Sequence, residues 1–232
     1  MELIEGIFLA GEHIHVPLSV KRIRDLYDFL SYFYDFFTQY EEGARKIALA
    51  IADVRESFKV LDVGCGTGKT LIELAEKVTP AGELCGLDIS SRMIGKTRKL
   101  LLSRSLWRQV NLVLGDAAHC PFRDAGFDLV FNSYMLDLVD GSMIPKVLSE
   151  FRRILKATGR LVLVNLTKGS KWYDNMTLYE WIYKHNPTLL GGCRPVVLEP
   201  YLQQIGFQKI EGHFVHAGYL MPTKILSASK AT

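Results

Sequence analysis

Residues 60–70 read VLDVGCGTGKT, with Gly64, Gly66 and Gly68 at alternate positions. Glycines so spaced clear side chains from a backbone that must turn sharply and lie close to a ligand. A helix starting after Gly68 would present unpaired amides at its first turn. Such a loop can serve a nucleoside triphosphate, a dinucleotide, or a nucleoside ligand that carries no phosphate. GCGTGKT has Lys69 and Thr70 in the order of a phosphate-binding loop, but that motif needs glycine five residues before Gly68, where Val63 stands. The dinucleotide fingerprint needs glycine at the position of Lys69; Asp88, about 20 residues on, does suit ribose recognition and keeps that reading open. Asp88 and Asp116 each follow a strand-like run. Alone, either would read as the cap of the next helix. Together, at the carboxyl ends of adjacent strands, they mark the edge where open α/β sheets bind ligands.

The elements that must position these residues alternate from residue 58 onward. Strand candidates are 58–64, 83–89, 110–116, 127–133, 160–166, 207–215 and 223–229. Helical patterns fall at 68–78, 91–103, 143–156 and 196–204. The first five strands are runs of Val, Leu and Ile with little alternation, as expected where helices cover both faces of a parallel sheet. The order predicts a doubly wound, Rossmann-like α/β sheet of seven strands. The last two strands leave no room for a crossover helix and should pair antiparallel. Residues 1–57 would form a helical extension, and 168–194 an insertion after the fifth strand. The whole of 1–232 is thus expected to be one domain: cap 1–57, core 58–167, insertion 168–194, and a C-terminal helix and antiparallel strands over 195–232.

In this order the segments resemble the class I S-adenosylmethionine (SAM)-dependent methyltransferases, and most nearly the ubiquinone/menaquinone-biosynthesis type. VLDVGCGTG is similar to their first motif, LCGLDI (84–89) to the second strand with Asp88 at its end, and LVLGDA (112–117) to the third with Asp116. FDLVFNSYMLDLVD (127–140) resembles the fourth-strand motif and EFRRILKATGRLVL (150–163) the following helix-turn-strand, with Lys156-Ala157-Thr158-Gly159 in place of the usual Lys-Pro-Gly-Gly. That departure falls away from the cofactor edge. The likeness covers roughly 58–230, with YDFLSYFYD (27–35) similar upstream.

The resemblance implies a role for each matching residue. The backbone of Gly64, Cys65, Gly66, Thr67 and Gly68 would pass the methionine part of SAM, and Asp62 would fix the loop or meet the amino group. Asp88 would accept both ribose hydroxyls, a bidentate task suited to a carboxylate. Ile89 and Met93 would flank the adenine, while Asp116 and the Ala117 amide would meet its edge. Asn132 would face the methionine end, and Tyr27 and Tyr34 match paired Tyr-Asp positions near the cofactor. S-adenosylhomocysteine would be the product, and no metal is called for.

Methyl transfer from a sulfonium is an in-line displacement in which alignment alone can be worth ~7–11 kcal/mol. No base is compelled. Of the six histidines, His185 in the insertion is the best candidate for one, followed by Tyr134 and Asp137 beyond the fourth strand. His119 reads as a loop residue near adenine, and His213 and His216 as strand residues. The acceptor is hinted at by aromatics: eight of the 25 lie between Tyr27 and Tyr40, and Tyr173, Trp181 and Tyr183 recur in the insertion. They read either as core or as an apolar cover over an acceptor site, which would favour a lipid-like or quinone-like small molecule.

Other classes fit less well. Asn132-Ser133-Tyr134-Met135 lacks the two prolines common in base-amine methyltransferases, and no basic cluster with interleaved aromatics suggests nucleic acid. A net charge of +3 is mild, and mixed charges around the aromatic run argue for weak membrane-surface contact at most. No apolar run reaches the ~18 residues of a membrane span. The acidic start MELIEGIFLAGEHIH does not read as a secretory signal, and four scattered cysteines read as reduced thiols, so a cytoplasmic enzyme is expected. A non-catalytic SAM-binding protein and an NAD-dependent oxidoreductase remain the competing readings.

Overall fold

In the computed structural model, β1 (Lys59–Val63) is the sheet's pivot. It pairs parallel with β2 (Glu83–Asp88) on one side and with β4 (Phe127–Ser133) on the other. The structure describes residues 41–78, 80–167, 185, 193–217 and 221–230. Outward from β2 lies β3 (Val110–Leu114), and outward from β4 lies β5 (Leu155–Leu166), both parallel. β7 (Met221–Lys230) inserts antiparallel between β5 and β6 (Phe207–Ala217), completing the order β3-β2-β1-β4-β5-β7-β6. The expected seven-stranded, doubly wound sheet with an antiparallel last strand is therefore observed. Chain order reverses at β1, which opens a crevice beyond the carboxyl ends of β1 and β4.

Burial explains why the strands carry unbroken apolar runs. Val60 packs with Leu71, Leu74 and Phe131 on one face, and its neighbour Leu61 packs with Val130, Leu148 and Phe151 on the other. The first face is covered by α1 (Glu42–Ala52), α2 (Lys69–Ala75) and α3 (Ser91–Ser103), the second by α4 (Ile144–Ile154) and α5 (Glu199–Ile205). In α4 the buried Ile144, Val147, Leu148, Phe151 and Ile154 form a helical stripe. Each such side chain contributes roughly 1.5–3 kcal/mol when fully buried. α1 buries Ala44, Ala48 and Ala52, small residues that let the helix approach the sheet, and Arg45 donates to Glu73 at 2.7 Å to tie it to α2.

Several boundaries differ from the sequence expectation, and two have a clear cause. β5 begins at Leu155, directly after α4, because Leu155 is wholly buried and pairs with Phe127 across a register shift. α2 ends at Ala75, where the amides of Lys77 and Val78 both close onto the Leu74 carbonyl in a tight turn. The expected aromatic cover, including Tyr27, Tyr34, Tyr173, Trp181 and Tyr183, lies outside the described residues.

Candidate functional site

The glycine loop is held open by backbone bonds to its neighbour strand. The amides of Gly64 and Cys65 both donate to the Leu87 carbonyl, at 2.7 and 3.1 Å. Gly64 sits at φ +70, and a Cβ there would lie 2.8 Å from Met135 Cβ and Cγ. Gly68, at φ +85, precedes α2, and a Cβ there would come within 2.6 Å of Thr97 Cγ2. Both positions combine a left-handed backbone with a close approach, and only glycine meets both conditions.

Asp88 locks this loop to the next one. Its Oδ2 accepts the Gly66 amide at 2.9 Å and its Oδ1 accepts the Ser90 amide at 2.8 Å. Ser90 then caps α3 by accepting from the Met93 amide at 3.2 Å. Thr97, one face further along α3 and wholly buried, donates to the Gly66 carbonyl at 2.7 Å. Ser90 and Thr97 escape sequence reasoning: a serine after Asp-Ile signals a cap, but nothing marks Thr97 until α3 is laid against the loop.

A cavity of roughly 170 Å³, partly open to solvent, lies at this crevice. Gly64, Gly66, Asp88, Ile89, Met93, Asp116, Ala117 and Tyr134 all line it. Its remaining wall is largely apolar: Met135, Leu138, Val139, Met143 and Val147 come from the turn after β4 and from α4. Asp116 fills both roles weighed for it. Its Oδ1 caps the short turn Ala117–His119 by accepting the Ala118 amide at 2.9 Å, while the residue faces the cavity. Its Oδ2 is 3.5 Å from His119 Nδ1, and His119 Nε2 is 2.6 Å from Lys146 Nζ, so the histidine belongs to the rim near Asp116.

Other candidate residues lie beneath the cavity wall. Asp62 is 1% exposed, and its Oδ2 has no hydrogen-bond partner. Burial, aided by the charge of Asp88 and opposed by Arg45, pushes its carboxyl up to about 8. Asn132 donates to the Val63 carbonyl at 2.7 Å, and its Oδ1 is likewise buried without a partner. Cys65 and Thr67 are buried, and burial drives the Cys65 thiol well above the usual range.

The three candidate bases stand apart. Tyr134 lines the cavity, but its hydroxyl shares a 3.0 Å hydrogen bond with Thr223, and burial raises its pKa. Asp137 is wholly buried, does not line the cavity, and accepts the Leu166 amide at 2.9 Å. Burial raises its carboxyl, against the pull of that amide and of Arg194. His185 is exposed and does not line the cavity. Glu41, which the sequence did not single out, is held up to about 7 by burial, with Arg45 and Lys69 opposing.

Known proteins match this arrangement. The family model of the methyltransferase domain matches residues 60–159. A demethylmenaquinone methyltransferase of Bacillus cytotoxicus is 34% identical over 148 residues, 64% of this chain and 60% of that protein. The chain thus spans about 60% of the length of curated relatives it matches. Among solved structures, the [4+2]-cyclase SpnF superposes with TM-score 0.71 at 16% identity, covering 91% of this chain and 97% of that one. Geranyl diphosphate C-methyltransferase from Streptomyces coelicolor A3(2) gives 0.65 at 13% identity, covering 82% and 79%. These likenesses, the sheet order and the locked glycine loop agree: the chain has the class I SAM-dependent methyltransferase fold.

Proposed function

We propose that this protein is a SAM-dependent methyltransferase acting on a small apolar or aromatic acceptor of quinone-like or isoprenoid-like character. The observation that carries the reading is the Asp88 bridge, which fuses the glycine loop to the α3 cap at the mouth of the switch-point cavity. The donor set also fits the cofactor. Asp88 and Asp116 are two carboxylates lining one cavity; they disfavour a diphosphate and suit a ligand that brings hydroxyls and an amine.

In this reading Asp88 holds the ribose, Asp116 and Ala117 the adenine edge, and Ile89 and Met93 its faces. The Gly64–Gly68 backbone, with Cys65 and Thr67 packed beneath it, lets the methionine portion lie close, while Asp62 and Asn132 support that loop from beneath. When bound, SAM supplies an electrophilic methyl on a sulfonium sulfur. The chain's own contribution is to align the acceptor and exclude water, and the apolar wall of Met135, Leu138, Val139, Met143 and Val147 suits both. A pocket of mostly apolar lining with a few polar groups also suits such an acceptor. The name of the Bacillus relative, and the geranyl diphosphate of the Streptomyces enzyme, support this substrate class. Tyr27, Tyr34, Tyr173, Trp181 and Tyr183 would cover the acceptor, and 1–57 and 168–194 would be the parts of a single domain that select it. No helix among the described residues is long and apolar enough to cross a membrane.

A second reading, SAM binding without methyl transfer, is favoured by the likeness to a protein described as a cyclase. Calorimetric titration with SAM, S-adenosylhomocysteine and NAD tests the cofactor assignment. Stoichiometric binding of the first two and none of NAD is expected; preference for NAD would overturn the proposal.

A further inference from the structure

At the rim of the sheet opposite the glycine loop, a second hollow of roughly 610 Å³, open to solvent, lies against α4, the last turn of α5 and the end of β7. Three cations line it: Arg152, Arg153 and Lys230. Arg153 is fully engaged. It donates to both Glu150 oxygens, to Asp124 at 2.6 Å, and to the carbonyls of Phe122 and Cys120. Arg152 is different. Among the described residues it forms no hydrogen bond or ion pair, and its Nε is buried without a partner. Its guanidinium lies over Gly206, where a Cβ would be 3.8 Å from Nε and 3.9 Å from Nη2. Lys230 donates once, to the Leu155 carbonyl at 2.8 Å. Burial and the charge of Arg152 lower its pKa, with Asp124 acting the other way.

Basic residues at a helix C-terminus often neutralise its carbonyls. Here those carbonyls are already taken. Phe151 O accepts the Leu155 amide, Arg153 O the Ala125 amide at 3.0 Å, and Ile154 O the Gly126 amide at 2.8 Å. The Gly206 amide likewise closes onto the Gln203 and Leu202 carbonyls of α5. Among the described residues Arg152 therefore has no counter-charge, and a half-buried guanidinium without one is unfavourable. Asp124, the carboxylate lining the hollow, is engaged by Arg153.

We propose that this hollow is a binding site for a small oxyanion, the phosphate or carboxylate group of a metabolite, held between Arg152 and Lys230. The planar fork of an arginine beside a lysine suits such a group, and the neutral side chains of Ser149 and Gln204 at the same wall add donors. α4 lends Pro145, Ser149 and Arg152 to this hollow and Met143 and Val147 border the first cavity, so the helix stands between the two. The proposal does not depend on the identity of the ligand in the first cavity.

The test is thermal melting and calorimetry of the full chain with inorganic phosphate or citrate, against chloride of equal ionic strength. For a millimolar site, 10 mM of the preferred anion should raise the melting temperature by about 3–5 °C. Whichever of the two anions gives the larger rise identifies the group. Arg152→Met should weaken anion binding at least about tenfold. It should also keep the SAM affinity of the wild type and melt no lower than the wild type in anion-free buffer. Absence of heat and of any melting shift with both anions overturns the proposal. So does an Arg152→Met variant that keeps the anion-induced rise, or one that melts lower without anion, since that would make Arg152 a packing residue.

Discussion

Replacing Asp62 with asparagine should make the protein more stable, by a margin that grows as pH rises from about 4 to about 8. The side chain is wholly enclosed at the end of β1, with one oxygen unpartnered, and its carboxyl rises from 3.8 to about 8. Burial is the main cause, the neighbouring Asp88 the second, and Arg45 acts in opposition. The folded state therefore holds a proton that the unfolded chain releases above pH ~4. Stability falls as pH rises between the two pKa values and levels off above about 8. The span of about 4 pH units sets a ceiling on the order of 5 kcal/mol, at ~1.4 kcal/mol per unit. Asp62→Asn keeps the volume and removes the titration. Glu41, raised from 4.5 to about 7, tilts both proteins alike, so the difference between them isolates Asp62. Urea denaturation at pH 3.5 and pH 8.5 should give nearly equal stabilities at the lower pH and a gain of about 2–5 kcal/mol for the variant at the higher. Parallel pH profiles, or a variant less stable at pH 8.5, would refute the reasoning.

Asp88→Asn should set an amide NH2 against one of the two backbone donors it now accepts, Gly66 or Ser90, leaving a buried N–H unsatisfied at about 1–3 kcal/mol. Calorimetry should show SAM affinity lowered roughly 10- to 100-fold, and affinity within twofold of wild type would contradict the bridge. Gly64→Ala meets Met135 at 2.8 Å and adopts φ +70, so about 1–2 kcal/mol of backbone strain adds to about 1–3 of overpacking. Denaturant titration should register about 2–5 kcal/mol lost; a loss below about 1 would mean the loop relaxes freely. Tyr134→Phe deletes a hydroxyl already committed to Thr223. Turnover should stay within about threefold of wild type, because loss of a true general base typically lowers rates by ~10²–10⁴. A fall of that size would restore Tyr134 as a base.

Much of the core was legible because its signals are local. The 91–103 stretch reads as a helix, and the first five strands show in their apolar runs. The glycine loop and the strand-end acids Asp88 and Asp116 share one cavity because sheet topology delivers strand ends to the same edge. What escaped depends on distant partners. Asp137 follows β4 just as a catalytic acid would, yet it turns inward to the Leu166 amide, 29 residues away. Thr97 supports the loop across 31 residues, and Met143 and Val147 join the wall only because of how α4 is rotated. Arg152 and Arg153 are adjacent and chemically alike, but only their surroundings reveal that one is saturated and the other without a partner among the described residues.

Incubation of the purified protein with SAM carrying a labelled methyl, in the presence of separated lipid, quinone, small-metabolite and RNA fractions, tests the central claim most directly. The account predicts stoichiometric formation of S-adenosylhomocysteine and label in an apolar small-molecule fraction, both lost in Asp88→Asn. Label found only in RNA would contradict the acceptor class. Bound SAM with no label transferred to any fraction would contradict the enzyme.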